Sequence, residues 1–341
     1  MINQVYRLVS PRQFEVTYQD FSLQTDLIVI RPTHLSICNA DQRYYTGSRG
    51  KEILATKLPM ALIHEGIGKV VYDPEGEIEL GTRVVIVPNM PVEDDEFIAE
   101  NYLQTSKFRS SGYDGFMQDY IFVNRNRLVE IPEDMNLHVA AFTELITIAM
   151  HSLTRFELRS HQRRHAFGVW GDGNLGFIMC LLLKKKYPES KIISFGKTKY
   201  KMDRFSFVDK SYLIDEIPED VVVDHAFECV GGLGSEFAIN QAIDLIVPEG
   251  SISILGVSEY PVEVNTRMLL EKGITMIGSS RSGRADFEKT VSFFKEFPEV
   301  VDYFTTLIGE VQKVTSIQDI IEAFEKDLIS SWGKTIIEWN I

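Results

Sequence analysis

Three glycines, Gly171, Gly173 and Gly176, lie in the segment GDGNLG and have the spacing of a phosphate-binding turn. An apolar strand-like segment, residues 166–170, precedes them, and an apolar helix-like segment, residues 177–183, follows. In such a turn the first glycine permits the bend, the second lets the backbone approach a pyrophosphate, and the third lets helix and strand pack closely. This context predicts a dinucleotide-binding turn rather than an ordinary tight turn. The residues expected to hold the pyrophosphate are Gly171, Gly173, Asn174, Leu175 and Gly176.

The choice of dinucleotide depends on the end of the next apolar strand, residues 191–195. NAD enzymes usually carry a carboxylate there, which binds the ribose 2′-hydroxyl. This chain instead has Gly196, Lys197, Thr198 and Lys199, which offer two ammonium groups and a hydroxyl to a 2′-phosphate. The segment therefore predicts NADPH, and the alternative is that both lysines are ordinary solvated charges.

Three further residues have side chains that suit zinc. Cys38 lies in SICNADQRYY, and His64 and Glu65 lie in IHEGIGKV, before an apolar strand. Thiolate, imidazole and carboxylate are the protein ligands of Zn²⁺, although a cysteine or histidine taken singly is often only a core residue. The remaining cysteines, Cys180 and Cys229, lie in apolar runs, and we interpret them as structural.

The patterns on either side of residue 140 predict the elements that position these groups. Residues 1–140 read as short strands separated by Gly and Pro, which indicates a β-rich domain. Residues 141–283 alternate helical stretches with fully apolar strands, which predicts an α/β Rossmann domain with a doubly wound parallel sheet. Residues 284–341 hold two helical segments and a strand, and we expect them to return to the first domain.

Composition limits the partners and the location. The chain has 341 residues and a formal net charge of -14, with Lys and Arg not gathered into a stripe. Nucleic acid is therefore excluded as an expected partner. The start lacks a secretory signal, and no apolar run approaches the roughly 18 residues of a membrane helix. We expect a cytoplasmic protein without a membrane span.

Five segments in one order resemble the zinc-dependent medium-chain alcohol dehydrogenase family. They are residues 38–41 (CNAD), 63–68 (IHEGIG), 81–84 (GTRV), 114–120 (DGFMQDY) and 140–144 (AAFTE). The resemblance implies a GroES-like catalytic domain over residues 1–140, joined by 284–341, and an NADP-binding domain over 141–283. It also implies that Cys38, His64 and Glu144 bind a catalytic zinc, with Glu65 adjacent and able to join or exchange. The open zinc position would then polarise a substrate carbonyl for attack by hydride.

Two departures from the family pattern change its implications. Ala40 stands where the family usually has the Ser or Thr that relays a proton, so the relay would use a zinc-bound water, a substrate hydroxyl or Tyr44. Residues 89–108, where many members hold a structural zinc with four cysteines, contain no cysteine. We therefore predict one catalytic Zn²⁺ per chain and no structural zinc.

Three segments, residues 37–47 (ICNADQRYYTG), 169–177 (VWGDGNLGF) and 195–201 (FGKTKYK), together with the Cys, His-Glu and Glu set, resemble those of the ribulose-5-phosphate reductases of wall teichoic acid synthesis. That resemblance implies NADPH-dependent reduction of D-ribulose 5-phosphate to D-ribitol 5-phosphate, with coupling to a ribitol-5-phosphate cytidylyltransferase; relatives also suggest a homodimer. Taken as a group, Arg43, Lys107, Arg109, Arg281 and Arg284 suggest cations that hold the sugar phosphate, although Arg and Lys taken singly are mostly ordinary surface charges. The alternatives are an NAD-dependent polyol dehydrogenase of the sorbitol type and a catalytically silent NADPH-binding protein.

Overall fold

The computed structural model describes residues 1–23 and 26–341 and divides into two compact units. Unit 1 combines Met1–Leu145 with Ser282–Ile341, and unit 2 is Ile146–Arg281. Across the described ranges, no helix is both long enough and apolar enough to cross a membrane.

The elements of the described residues are numbered in chain order. The strands are β1 (Ile2–Ser10), β2 (Gln13–Asp20), β3 (Ile28–Ser36), β4 (Met60–Ala61), β5 (Glu65–Tyr72), β6 (Arg83–Ile86), β7 (Asn89–Met90), β8 (Lys107–Phe108), β9 (Ile121–Val123), β10 (Leu128–Glu130), β11 (Ala166–Trp170), β12 (Lys191–Gly196), β13 (Lys210–Leu213), β14 (Val223–Glu228), β15 (Ile246–Ile254), β16 (Thr275–Gly278), β17 (Ile308–Val314) and β18 (Lys334–Trp339). The helices are α1 (Asn39–Tyr45), α2 (Lys51–Lys57), α3 (Leu137–Ala140), α4 (Thr143–Glu157), α5 (Asn174–Lys186), α6 (Lys199–Met202), α7 (Gly234–Leu245), α8 (Thr266–Lys272), α9 (Arg284–Glu296), α10 (Val300–Thr305) and α11 (Ile317–Ile329), with a 3-10 turn at Arg125–Arg127.

Unit 1 is built around a mainly antiparallel seven-stranded sheet. Its order is β10-β6-β5-β3-β18-β17, and β9 also pairs with β3. The late strand β18 lies between β3, to which it is antiparallel, and β17, to which it is parallel. Leu35, Ile86 and Ile337 are among the fully buried apolar side chains of its core. The sheet therefore joins residues from both ends of the chain into one hydrophobic core.

Unit 2 is a six-stranded parallel sheet in the order β13-β12-β11-β14-β15-β16. Counted from the first strand of the unit, this order is 3-2-1-4-5-6, which is the dinucleotide-binding arrangement. The predicted α/β fold class is confirmed. Ligands of such sheets bind beyond the carboxyl ends of the strands where the order reverses, here between β11 and β14.

The helix after the glycine turn begins earlier than the sequence pattern predicted. We expected it from Phe177, but α5 starts at Asn174, with Gly173 in an extended conformation as its N-cap. The backbone N–H of Phe177 donates to the Gly173 carbonyl at 3.0 Å and closes the first turn. The turn is therefore shorter than expected, and the amino end of α5 follows Gly173 directly.

Candidate metal and cofactor sites

Cys38, His64 and Glu65 converge in unit 1, where one donor atom from each lies within 4.8 Å of the others. Cys38 is the N-cap of α1, just after β3, and Glu65 begins β5. These strands are antiparallel neighbours with Ser36 opposite Glu65, so the sheet register brings the two segments together. His64 and Glu65 are buried, and Cys38 is half-buried.

Asp41 fixes the backbone on both sides of this cluster. Its Oδ2 accepts a hydrogen bond from the Cys38 N–H at 3.1 Å. Its Oδ1 accepts from the Ile63 N–H at 2.9 Å and from the Ser110 hydroxyl at 2.6 Å. The same oxygen lies 3.7 Å from His64 Nδ1, which is an ion-pair separation rather than a hydrogen bond. Asp41 is thus a positioning residue, because a carboxylate beside one imidazole nitrogen orients the other toward a metal.

The charges of Asp41 and His64 favour each other. Burial opposes ionisation of Asp41, but His64 and the hydrogen bonds from Ser110 and Ile63 hold the pKa of the carboxyl below its usual range. Burial alone would lower the pKa of His64, but Asp41 and Cys38 raise it well above the ordinary value. The cluster therefore attracts positive charge, which a bound cation would supply in place of a proton.

The backbone before His64 is held in an unusual conformation. Ile63 has φ of 69°, a left-handed value that is costly for a β-branched residue. The Phe116 N–H donates to the Ile63 carbonyl at 2.7 Å, which helps hold it there. A Cβ at Gly115 would lie only 2.3 Å from that carbonyl oxygen and 2.4 Å from that of Leu62. The glycine therefore permits the close backbone approach that supports His64.

Glu65 has a partner that the sequence did not reveal. Its Oε1 accepts a hydrogen bond from Lys334 Nζ at 2.9 Å, and both side chains are buried. Burial alone would lower the pKa of Lys334, but Glu65 and Cys38 raise it above its usual value. The second oxygen of Glu65, Oε2, is buried and without a hydrogen-bond partner among the described residues. That oxygen is available to a metal ion, so the donor set and the unsatisfied atom fit zinc.

Glu144, at the start of α4, is buried near the same cluster but outside the group of donors that lie within 4.8 Å. Burial raises its pKa to about 7, with a further contribution from Glu65 and an opposing one from His64. At neutral pH the carboxyl therefore titrates, and a nearby cation would favour its charged form. In this structure Glu65, rather than Glu144, completes the compact donor group.

In unit 1, Glu100 links the segment of residues 89–108 to Arg127 and Arg284. Its carboxylate accepts hydrogen bonds from Arg127 at 3.0 and 3.2 Å and from the Arg284 backbone N–H at 2.7 Å. The Arg127 side chain is only 5% exposed. A Cβ at Gly283 would lie 2.7 Å from Glu100 Oε1, so the glycine allows this approach. An ion pair thus anchors the segment of residues 89–108.

The glycine turn of unit 2 has a different steric requirement at each glycine. Gly171 has φ of 135°, and a Cβ there would lie 2.9 Å from the Cys229 carbonyl oxygen. A Cβ at Gly176 would lie 2.0 Å from the Gly171 oxygen, so this glycine is required for the helix to pack on the turn. At Gly173 a Cβ would meet nothing within 4 Å. The turn therefore leaves open space at the position where a pyrophosphate approaches the backbone.

Asp172, between two of these glycines, holds the loop that carries the predicted cations. Its Oδ2 accepts from the backbone N–H of Lys197 at 2.9 Å and of Thr198 at 2.7 Å. A Cβ at Gly196 would lie 2.7 Å from the Asp172 Cβ, so this glycine permits the contact. The Lys199 side chain is 79% exposed and lies 3.5 Å from the carboxylate of Asp203. Of the two lysines, only Lys197 has its backbone held directly by Asp172.

Gly171, Asp172, Gly173, Gly196 and Lys197 line a cavity of about 620 Å³ at the carboxyl end of the parallel strands. The glycine turn, Gly196 and Lys197 form one wall. Glu228, at the end of β14, accepts hydrogen bonds from the N–H groups of Val230, Gly231 and Gly256 and so fixes two loops at this edge. The volume of the cavity and the steric pattern at the glycines fit a dinucleotide.

The five proposed phosphate-binding cations lie in different environments. Arg109 is buried, donates to the carbonyls of Asp114 and Phe122, and stacks over Tyr113, so its interpretation as a surface charge is wrong. Arg284 donates to Glu288 and to the Arg125 carbonyl. Lys107 is exposed. Arg43 and Arg281 also have partners within the chain.

Two family models match the chain. The alcohol dehydrogenase GroES-like domain matches residues 24–133, and the zinc-binding dehydrogenase model matches residues 206–296. Among curated proteins, a ribulose-5-phosphate reductase of Bacillus spizizenii is 69% identical over 341 residues, covering all of both chains. Ribulose-5-phosphate reductase 1 of Staphylococcus aureus is 57% identical, covering 99% of each chain.

Solved structures show the same relationship. The structure of S. aureus TarJ in complex with NADPH is 52% identical, has a TM-score of 0.91 and covers 100% of both chains. L-Idonate 5-dehydrogenase of Escherichia coli, at 21% identity and a TM-score of 0.86, shares the fold. The chain therefore belongs to the zinc-dependent medium-chain alcohol dehydrogenase family.

Proposed function

We propose that this enzyme reduces the ketone of D-ribulose 5-phosphate to D-ribitol 5-phosphate with NADPH, for CDP-ribitol and wall teichoic acid synthesis. The observation that carries the proposal is the 69% identity, over the whole of both chains, to a ribulose-5-phosphate reductase. The NADPH complex of a structure 52% identical supports the choice of cofactor.

In this proposal Cys38, His64 and Glu144 bind the catalytic zinc, and Glu65 joins or exchanges. A zinc ion held there would polarise the ketone oxygen, bound NADPH would supply the hydride, and a zinc-bound water, a substrate hydroxyl or Tyr44 would supply the proton of the new hydroxyl. Asp41 keeps the His64 ring oriented, and Lys334 holds Glu65 when the metal does not. Burial of these groups strengthens their electrostatic interactions by excluding water.

The pyrophosphate binds along Gly171, Gly173, Asn174, Leu175 and Gly176, and the 2′-phosphate binds at Gly196, Lys197, Thr198 and Lys199. The open space at Gly173 and the fixed loop at Lys197 support this assignment. The lysines form charge-assisted hydrogen bonds that NADH, which lacks the 2′-phosphate, does not provide.

The remaining parts of the proposal concern the assembly. The enzyme holds one catalytic zinc per chain and no structural zinc, works in the cytoplasm, and passes its product to a cytidylyltransferase. Residues 1–140 and 284–341 form the catalytic domain, and residues 141–283 form the cofactor domain. A homodimer is supported by β16, an edge strand of the six-stranded sheet on which Met276 is exposed.

Absorbance of NADPH provides the test. The purified enzyme is assayed with ribulose 5-phosphate, unphosphorylated ribulose, xylulose 5-phosphate and fructose, with and without a chelator. We expect turnover with ribulose 5-phosphate, a lower kcat/KM with NADH, and loss of activity when zinc is removed. Activity that survives complete zinc removal, or that is equal without the phosphate, would contradict the proposal. A Cys38→Ser variant should bind NADPH normally and fail to turn over.

A further inference from the structure

Outside the Cys38 cluster, one other group of side chains among the described residues has the composition of a metal site. His34, His138 and Glu338 each offer a donor atom, and these atoms lie within 4.8 Å of one another. We propose that the three residues bind a second, exchangeable first-row transition-metal ion such as Zn²⁺.

Three separate elements bring the donors together. His34 on β3 and Glu338 on β18 are directly opposite in the antiparallel register, so their side chains share one face of the sheet. His138 comes from α3, and its Nε2 lies 2.9 Å from Glu338 Oε1. The two imidazole rings are 5.5 Å apart between centroids. The residues therefore converge without any change in strand pairing.

The backbone beneath each donor is fixed. β3 and β18 are interior strands of the seven-stranded sheet. The Asn136 side chain accepts hydrogen bonds from the N–H groups of His138 and Val139 and caps α3. Ligands held by rigid elements need little reordering to bind a metal.

The donor chemistry favours a transition metal over calcium or magnesium. Two imidazoles and a carboxylate suit Zn²⁺, Co²⁺ or Ni²⁺, whereas the hard cations take oxygen ligands. Nδ1 of His34 is buried and, within the described part of the chain, has no hydrogen-bond partner. Burial and His138 lower the pKa of His34 to about 4, so its ring is neutral, as a ligand must be, at pH 7. All three side chains are half-buried, which gives an ion access to solvent.

This ion would be distinct from the catalytic zinc. Glu338 is four residues beyond Lys334 on the same strand, and at about 3.3 Å per residue this is roughly 13 Å along β18. Lys334 contacts Glu65 of the first cluster. The donor atoms of the two clusters fall into separate groups, each within 4.8 Å, and an ion with bonds of about 2 Å holds only donors that lie that close together.

The test is a Zn²⁺ titration of the holoenzyme that already contains its tightly bound zinc, by equilibrium dialysis and metal analysis. We expect one further exchangeable equivalent per chain. His34→Gln, His138→Gln and Glu338→Gln should each weaken that second equivalent by about tenfold or more. The matched control His165→Gln, which removes an exposed imidazole, should leave it unchanged.

A Co²⁺ titration distinguishes the two sites. Cobalt added to the zinc holoenzyme should bind with d–d absorption but without a thiolate charge-transfer band, since the second donor set contains no sulfur. Catalytic activity retained in the variants shows that they are folded. The proposal is overturned if the wild type takes up no second equivalent at millimolar Zn²⁺, if the His34 and His138 variants bind it as tightly, or if cobalt shows the thiolate band.

Discussion

At the scale of single residues, Glu65 belongs both to a buried ion pair and to the candidate metal cluster. Its carboxylate is fully buried; one oxygen is hydrogen-bonded to Lys334, and the other has no partner among residues 1–23 and 26–341. A buried anion requires a cation, and the structure gives Glu65 an ammonium from β18. Zinc held by the neighbouring Cys38 and His64 would provide a second source of positive charge.

Replacing Lys334 should therefore destabilise the zinc-free protein more than the zinc-loaded protein. Lys334→Met leaves the Glu65 carboxylate buried and unpaired, and we expect a loss of about 3 to 5 kcal/mol in the free energy of unfolding. The zinc-loaded protein should lose less, because the metal compensates the same charge. Urea titrations of both forms at pH 7 measure the difference. Lys313→Met, an exposed lysine on β17, is the control, and equal losses with and without zinc would refute the compensation.

The residue types of the cluster could be predicted, but not their full set of contacts. Cys38, His64 and Glu65 stand out because their side chains suit zinc and the family pattern fixes their order. Lys334 carries no such signal, since its partner is remote in sequence and only the pairing of β18 with β3 brings it near.

At the scale of elements, the segment between β6 and β9 shows how an ion pair can fix a loop. The Glu100 carboxylate accepts hydrogen bonds from the buried guanidinium of Arg127 and from the backbone N–H of Arg284 at the start of α9. The loop is thereby linked to a helix of the C-terminal part of unit 1. The geometry depends on Gly283, where a side chain would collide with Glu100.

Weakening that anchor should loosen the loop without affecting the metal. Glu100→Gln preserves the shape but removes the charge that Arg127 pairs with, and we expect a loss of about 2 kcal/mol of stability. Limited proteolysis within residues 89–108 should accelerate, while zinc content stays the same. Glu96→Gln, in the exposed part of the same loop, is the control. Unchanged proteolysis in Glu100→Gln would show that the ion pair does not hold the loop.

Element types followed from the sequence better than element boundaries. Fully apolar runs alternating with helical stretches predicted the parallel sheet, which is confirmed, because strands covered on both faces must be apolar throughout. The start of α5 was misplaced at Phe177, since the pattern does not show that Gly173 adopts the extended N-cap conformation. Of residues 115–123, only β9 forms a strand. The backbone N–H groups of Gly115 and Phe116 instead donate to carbonyls of residues 61–63.

At the scale of the whole molecule, stability should depend on pH through a histidine of unit 2 that belongs to neither candidate metal cluster. His225, fully buried on β14, accepts a hydrogen bond at Nδ1 from the Ser251 N–H, and its Nε2 lies 3.0 Å from the Arg163 carbonyl oxygen. These contacts require a neutral ring, because a proton on Nδ1 would face another N–H. Burial and His161 accordingly lower the pKa of His225 to about 4.

Stability should therefore fall as the pH drops from about 6.5 toward 4. In that window the unfolded chain takes up a proton on His225, whose ordinary pKa is about 6.5, and the folded chain does not. The slope contributed by this residue is at most about 1.4 kcal/mol per pH unit. In urea titrations, His225→Asn should lower the slope of the free energy of unfolding against pH by the amount that corresponds to about one proton. The exposed His165→Asn should leave that slope unchanged. Parallel profiles for the wild type and His225→Asn would contradict this assignment.

The position of β18 in the sheet also sets an order for biosynthesis. Unit 2 is one continuous segment, Ile146–Arg281, so a nascent chain holds all of it before β17 and β18 have been translated. Unit 1 still lacks two strands and the ammonium of Lys334 at that time. At about 5 to 20 residues per second, the roughly 60 residues that follow Arg281 take about 3 to 12 s to synthesise. Unit 2 can thus fold on the ribosome while unit 1 is still incomplete. Zinc that binds to unit 1 in that interval would bind before Lys334 has been synthesised.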